Sequence, residues 1–586
     1  MPLLAEDSLP ALFDDVIAGK VRLVAWGAVD NAALFQWSCP LPLAYYVDTE
    51  WRRWGQEFCG APIRSPSVLQ DEDPATTVVV VHYFMLATVQ DLYDFLERVG
   101  PFRYFVPAPI DIASPSAGVA PTDEGALGAV VAVDPVRSDK AALARAILAN
   151  RGSESHWQRA TRLLAQRRRL LAETDTAPRG QDAVFFVECL HLGGAERQLS
   201  NLALGMAQQG WRTTLAVTRP EPPEAAHYVE FLRSVSVDYR LVTLPEAPEP
   251  GDVVSYLLKR VEPDVALVLW HMPPHLLPVI LTMYLYLRDV RPQLVVCHLD
   301  RPNIIGAMAA ALAGVPAILM SGRNVNPTHF PHFYTGQTQA MWDVYQVLLH
   351  GGGARLSANS RIGAESYARW LGMDVDAVPV VRNCVAAEAL AEIPARAAEG
   401  VRALLNIPDD APMVLGVFRL APEKRPLLFI EVVARLRRAV PNVHAVICGT
   451  GALEGECRRR AEQLGIAGAV AFMQAVQNVA AVMRAGTLLL HVSEFEGTPN
   501  ALLEAQAQGL PVVCTRTGGS EEALAPELAD YALDPDDVDG LVGSCLRLLS
   551  DASLRDALGD RARAHVLEHH SLAALVRNTL AVALAP

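Results

Sequence analysis

Cysteine pairs at disulfide or zinc spacing are missing from this chain. Its nine cysteines are scattered, odd in number and never arranged as CxxC. That argues against a secreted disulfide scaffold and a structural zinc site, and leads us to expect a reducing compartment. A surplus of positive charge is missing too. With 65 acidic and 50 basic side chains the net charge is −15, which argues against a general nucleic-acid binder. The opening stretch MPLLAEDSLPALFDDVIAGK has no basic start and no long apolar run, so a secretory leader is not expected and the chain reads as cytoplasmic. Uninterrupted hydrophobic runs of bilayer length are lacking as well. Residues 265–287 carry no formal charge, but His271, Pro273, Pro274, His275 and Pro278 interrupt them, so a buried strand, a turn and a buried helix are expected there. The last absence is of a DxD motif behind an apolar strand, which a metal-dependent sugar transferase needs. Asp71-Glu72-Asp73, Asp374-Val375-Asp376 and Asp537-Val538-Asp539 read as turns or helix starts.

What is present is ordinary for packed domains: 51% hydrophobic and 20% charged residues. At roughly 150 residues per domain, the length suggests three or four units. Residues 1–110 alternate strands (Val21–Trp26, Leu43–Val47, Thr77–Val81) with helical stretches such as Val89–Val99, the pattern of a small Rossmann-like α/β module. The loop Gly27-Ala28-Val29-Asp30-Asn31 is not GxGxxG, so an accessory fold is expected rather than a bound dinucleotide. Residues 111–181 read as a linker followed by connector helices. The last helix carries Arg159, Arg162, Arg167, Arg168 and Arg169. It reads as a solvated connector; the alternative is peripheral contact with an anionic membrane surface.

From Asp182 onward, strands are expected at 183–189, 212–217, 264–270, 294–298, 316–320, 414–417, 443–448, 487–492 and 511–514. That is too many for one ordinary sheet, and the acidic, Ala-rich stretch near 386–410 offers a break. The fold class is therefore α/β. Two Rossmann-like domains, 182–395 and 396–586, face a cleft, and the additional small α/β domain precedes them.

The segment LLLHVSEFEGTPNALLEAQAQGLPVV (488–513) concentrates the chemistry. A strand leads through Gly497 to Thr498, expected as the N-cap of a helix with Pro499 first and Asn500 next. The amide groups of such a helix start attract phosphate. Glu496 and Glu504 flank it, spaced to accept from the sugar and the ribose hydroxyls on either side of a diphosphate. Arg419 and Lys424, behind strand 414–417, supply two cations, while Gly449 and Gly451, behind strand 443–448, allow close backbone approach. A fourth loop, Thr517-Gly518-Gly519, follows strand 511–514. All four lie where doubly wound sheets bind ligands, at the carboxyl ends of strands.

These pieces, together with GGAERQ (Gly193–Gln198), SANS (Ser357–Ser360) and VRN (Val381–Asn383), resemble the family 4 retaining glycosyltransferases of the GT-B fold over residues 182–586. The resemblance implies transfer from a nucleotide-diphosphate sugar, as donor substrate rather than cofactor, to a sugar, glycolipid or protein-linked acceptor. It implies retention of anomeric configuration, no essential metal, and a place in polysaccharide or glycoconjugate assembly. It casts Glu496 as the contact to the donor sugar, Glu504 as the contact to the ribose, and Arg419 and Lys424 as stabilisers of the departing diphosphate. It also implies a terminal helix, near 570–584, that crosses back onto the first GT-B domain. On the acceptor side, Gly193 and Gly194 open onto the cleft. Where relatives carry a histidine, this chain has Ser321-Gly322-Arg323-Asn324, so Arg323, His298, His271, His329 and His332 are the candidates for its place. A nucleotide-sugar epimerase of similar fold and a non-catalytic nucleotide-sugar-binding scaffold are the competing readings.

Overall fold

The computed structural model describes residues 9–27, 42–48, 51–81, 102–105, 156–173, 180–191, 193–221, 229, 232, 235, 237–243, 260–269, 271–330, 334, 337–385, 393–474 and 479–585. The expected helix at Val89–Val99, the loop beyond Gly27 and the linker lie outside them.

Three six-stranded sheets organise the chain. The second runs, in spatial order, Ala354–Ala358, Ala317–Gly322, Leu294–His298, Asp182–Phe186, Arg212–Val217, Asp238–Leu241. The third runs Val470–Met473, His444–Cys448, Met413–Val417, Leu488–His491, Val512–Thr515, Ala532–Leu533. Every pairing in both is parallel. Strands such as Ala317–Gly322 and Leu488–His491 are buried along their whole length, which is why they read as continuous apolar runs and not as alternating ones. In each sheet the first strand of the domain lies beside its fourth, so the order reverses there and opens a crevice at the carboxyl ends. The first sheet (Glu57–Phe58, Ala61–Arg64, Leu43–Val47, Arg22–Trp26, Thr77–Val81, Arg103–Phe105) is parallel apart from one short antiparallel pair. Its Ala25, Tyr46, Phe58 and Ile63 share one contiguous core with Val184, Val295 and Met320 of the second sheet.

The terminal helix Leu572–Ala583 does cross back. It lies so close to helix Gly194–Gln208 that a Cβ on Gly205 would sit 2.6 Å from Val576. Arg355 also donates to the carbonyls of Val582 and Ala583 at 2.9 and 3.3 Å.

Two expectations change. Residues 264–270 are not a strand: Pro263–Leu269 is a short helix, followed by helix Leu277–Val290. With Val265, Ala266, Val268 and Leu269 all buried, the run carries no periodicity to separate helix from strand, and Pro263 suits a first helical turn. Among the described residues no helix is long and apolar enough to cross a membrane. The arginine-rich helix His156–Ala172 is not a solvated connector either, because Ala160 and Leu164 are fully buried and Arg167 is 6% exposed. Arg167 bonds the carbonyl of Leu312 (2.6 Å), Asp264 (2.5 Å) and the Tyr284 hydroxyl (3.2 Å), and Arg168 bonds the carbonyl of Val315 at 3.1 Å. The carbonyl of Leu312 belongs to the end of helix Asp300–Ala313, where a cation is favoured. The aspartate motifs behave as read: Asp73, Asp374 and Asp537 accept from the backbone N–H of Ala75, Asp376 and Gly540.

Candidate active site

The crevice of the third sheet brings Lys424 and Glu496 together. Strand Met413–Val417 ends in Phe418-Arg419-Leu420, then a single turn Pro422–Lys424; the adjacent strand Leu488–His491 ends in the loop carrying Glu496. Lys424 Nζ donates to Glu496 Oε1 at 2.5 Å, with both side chains largely buried. His491 Nε2 (3.0 Å) and Ser493 Oγ (2.8 Å) reach the same oxygen. Burial alone would raise the Glu496 pKa; the Lys424 charge and the His491 hydrogen bond overcome it and hold the carboxyl far below the usual range. Glu496 is therefore an ionised acceptor at any ordinary pH. Lys424 commits one of its three N–H groups to it.

Arg419 stands differently. Its side chain is 62% exposed and pairs with the buried Glu423 at 2.8 Å. It also faces Glu196 of the opposite domain, whose pKa burial raises and the Arg419 charge lowers.

Glycines let the loops close up. Gly449, at φ +144°, and Gly451 lie against Phe418 and Leu420: a Cβ on either would meet a backbone oxygen at 2.0 or 2.3 Å. A Cβ on Gly519 would lie 1.5 Å from the oxygen of Gly497, and Glu496 bridges to Gly518 in a short parallel contact.

The start of helix Asn500–Ala507 departs from expectation. Pro499, not Thr498, is the capping residue, and no side chain caps the helix. Thr498 Oγ1 instead donates to the carbonyl of Asn359 in the facing domain at 2.6 Å. The whole turn is clamped from across the cleft. Asn500 donates to the Gly194 carbonyl (3.1 Å) and accepts from Gln198 (3.2 Å) and Asn383 (2.7 Å). A Cβ on Gly497 would strike Asn359 at 2.4 Å, and one on Gly194 would strike Asn500 at 2.8 Å. Further in, the buried Glu504 meets Arg197 of the facing domain at 2.8 Å. At the edge, Glu522 accepts from the backbone N–H groups of Arg361 and Ile362, at 2.8 and 3.1 Å.

In the facing domain, His298 is buried and Arg323 is half-buried. The Arg323 guanidinium bonds Ser321 (3.2 Å) and, by a short contact, Asn383. Burial lowers its pKa to about 10, still charged at neutral pH. Burial and that charge push the His298 pKa well down, so its imidazole is neutral, with Nδ1 3.1 Å from the Ala195 carbonyl. Gly193 lets Glu196 fold back: a Cβ there would lie 2.0 Å from its carboxylate. His329 reaches across to Phe495 (ring centroids 5.4 Å apart), His271 is buried, and His332 lies outside the described residues.

Sequence reasoning missed His491, Ser493, Arg197, Asn359 and Glu522. The first two carried a usable signal: at the end of a strand, residues two apart share a face, and here that face meets Glu496. Arg197 and Asn359 lie inside GGAERQ and SANS, and Glu522 just behind Gly519, but the partners each meets come from the opposite domain, which no local pattern announces. Among the described residues no group of three or more His, Cys, Asp or Glu side chains could hold a metal ion.

Two parallel Rossmann-like sheets closing on such a cleft make the GT-B fold. Residues 192–389 match the family model described as Glycosyltransferase Family 4, and residues 399–565 match Glycosyl transferases group 1. The two-domain body of this chain is thus similar, half by half, to glycosyltransferases of these two descriptions. A Vi polysaccharide biosynthesis protein, VipC/TviE, of Salmonella typhi is 28% identical over 363 residues, 58% of this chain and 60% of that protein. A galactosyltransferase of Escherichia coli that acts from UDP-Gal on α-D-GlcNAc-diphosphoundecaprenol is 23% identical over 47% of this chain and 71% of that one. A lipopolysaccharide core biosynthesis glycosyltransferase, LpsE, of Rhizobium meliloti is 31% identical over 27% of this chain and 46% of its own. The chain thus spans about half the length of several curated relatives that it matches. Among solved structures, Alr3699/HepE of Anabaena in complex with UDP-glucose superposes with a TM-score of 0.53 at 18% identity, covering 68% of this chain and 97% of that one.

Proposed function

We propose that this chain transfers a sugar from a nucleoside-diphosphate sugar to a sugar, glycolipid or protein-linked acceptor in polysaccharide or glycoconjugate biosynthesis. The transfer retains anomeric configuration and needs no metal. The Lys424–Glu496 pair at the switch point of the donor sheet carries the reading.

The chemical barrier is departure of a charged diphosphate from an oxocarbenium-like carbon. Lys424, pinned by Glu496, presents its remaining N–H groups to the developing charge, and the exposed Arg419 can fork onto phosphate oxygens. Gly449 and Gly451 bring backbone close to the same place. Glu496, held ionised, accepts from hydroxyls of the donor sugar. Glu504 accepts from the ribose, with Arg197 fixing its orientation from across the cleft. Polysaccharide assembly rests on the likeness to the Vi polysaccharide and undecaprenol-linked relatives.

The test is incubation with UDP-, GDP- and ADP-sugars separately, in chelator, with detection of nucleoside diphosphate and NMR of the released sugar. Slow release from one donor, with the α or β configuration preserved, supports the reading. Interconversion of the donor would point to an epimerase, binding without turnover to a scaffold, and activity abolished by chelator to a metal-dependent route.

A further inference from the structure

The chain crosses between the two large domains twice, and the crossings meet. Val381–Val385 leaves the acceptor-side domain, and His570–Ser571 returns to it between helices Ala552–His569 and Leu572–Ala583. They are stitched together: Val385 N–H donates to the His570 carbonyl (2.9 Å), and His570 Nδ1 lies 2.8 Å from the carbonyl of Asn383. Against this seam lies a cavity of about 250 Å³ whose lining includes Arg382, Asn383, Glu568, His569, Arg577 and Asn578.

Its chemistry is specific. Arg382 has no carboxylate nearer than Glu522 at 4.0 Å, and for Arg577 no ion pair is found among the described residues. Two guanidiniums, one of them only loosely paired, therefore share one concave site with a single carboxylate, Glu568, and their surplus positive charge suits phosphate bound by forked hydrogen bonds. Glu568 and Asn578 line the same cavity and suit hydroxyl groups. The volume admits a small ligand, below the usual range of roughly 300–1,000 Å³ for drug-sized ones. The site also reaches the cleft through one residue. Asn383 lines the cavity, and its side chain bonds Arg323, the Thr498 carbonyl (2.9 Å) and Asn500 (2.7 Å), at the start of the donor-side helix.

We propose that this cavity is a regulatory site for a small, hydroxylated phosphate monoester, which braces the double crossing when bound. It is separate from the donor cradle and does not depend on the proposed activity.

The experiment uses the full chain, thermal melting and calorimetry, with glycerol phosphate as probe and glycerol as control. Glycerol phosphate is expected to stabilise the protein saturably while glycerol does not, as any ligand selective for the native state must. Arg577→Gln and Arg382→Gln, both at exposed positions, should each weaken that affinity about tenfold or more, without changing the melting point in its absence. Saturating UDP should leave the glycerol phosphate isotherm intact. Unchanged affinity in both variants, or displacement by UDP, overturns the proposal; displacement would mean that the donor cradle reads the phosphate. Arginine-dependent binding to phosphatidate vesicles, with glycerol phosphate inert, overturns the soluble ligand in favour of a lipid headgroup.

Discussion

Replacing Lys424 by Met removes the cation from the donor crevice while keeping much of its volume. Glu496 then keeps two of its three hydrogen-bond donors, His491 and Ser493, but loses the charge that faced it at 2.5 Å. Breaking a buried ion pair on one side costs about 3–5 kcal/mol, because the remaining charge is left uncompensated. The low end, about 3 kcal/mol, is expected here, since His491 and Ser493 still hydrogen-bond the carboxylate. Removing both charges, in Lys424→Met with Glu496→Gln, should recover much of that stability. Turnover should behave in the opposite way. Loss of a preorganised donor aimed at the leaving group costs about 10²–10³-fold, and the double variant should be at least as slow as either single one. Urea unfolding measures the first quantity, and nucleoside diphosphate release under saturating donor measures the second. Ordinary turnover in Lys424→Met refutes the leaving-group role. Equal destabilisation in the single and double variants refutes the coupling.

Gly449→Ala would set a Cβ 2.0 Å from the Phe418 oxygen, and donor KM should rise about tenfold or more as the two loops part; an unchanged KM would show that these loops do not form the cradle. Arg197→Gln should raise donor KM with little effect on kcat if it orients Glu504, which a calorimetric donor titration checks beside the kinetics. Arg167→Met should cost about 2 kcal/mol or more in urea unfolding, since hydrogen bonds to Asp264, Leu312 and Tyr284 are lost together. Asp300, buried at the start of its helix, has its pKa raised from 3.8 to about 6 despite hydrogen bonds from Tyr334, Tyr345 and Tyr367. A raised carboxyl pKa means that the unfolded chain ionises first, so stability should fall as pH rises from about 4 to 6, by roughly 3 kcal/mol at most. Asp300→Asn should remove that slope, and an identical pH–stability curve for the variant would contradict the assignment.

That the loops of the third sheet meet in one crevice was legible because the signals are local. Glu496, Lys424 and the paired glycines each sit in a loop directly behind an apolar strand, and parallel sheets bring such loops to one edge. The cap at Thr498 misread the same logic. Nothing in the segment itself reveals that the carbonyl of Asn359, more than a hundred residues earlier, will take that hydroxyl. Arg197 and Asn383 lie in motifs that carry the resemblance, but the partners they meet across the cleft were hidden for the same reason. The arginine-rich helix failed differently. A run of cations usually marks a solvated face, but Arg167 is buried by pairing its charge with a helix end, an aspartate and a tyrosine that lie about a hundred residues and more away. Residues 264–270 show the limit of periodicity, since consecutive buried residues (Val265, Ala266, Val268, Leu269) leave no alternation to read.

Hydrogen exchange on the full chain, with and without a nucleoside-diphosphate sugar, tests the central claim most directly. The account predicts new protection concentrated at 418–425, 448–452 and 494–504, lost in Lys424→Met. Protection confined to the first hundred residues, or none in those three loops while the ligand is bound, would contradict it.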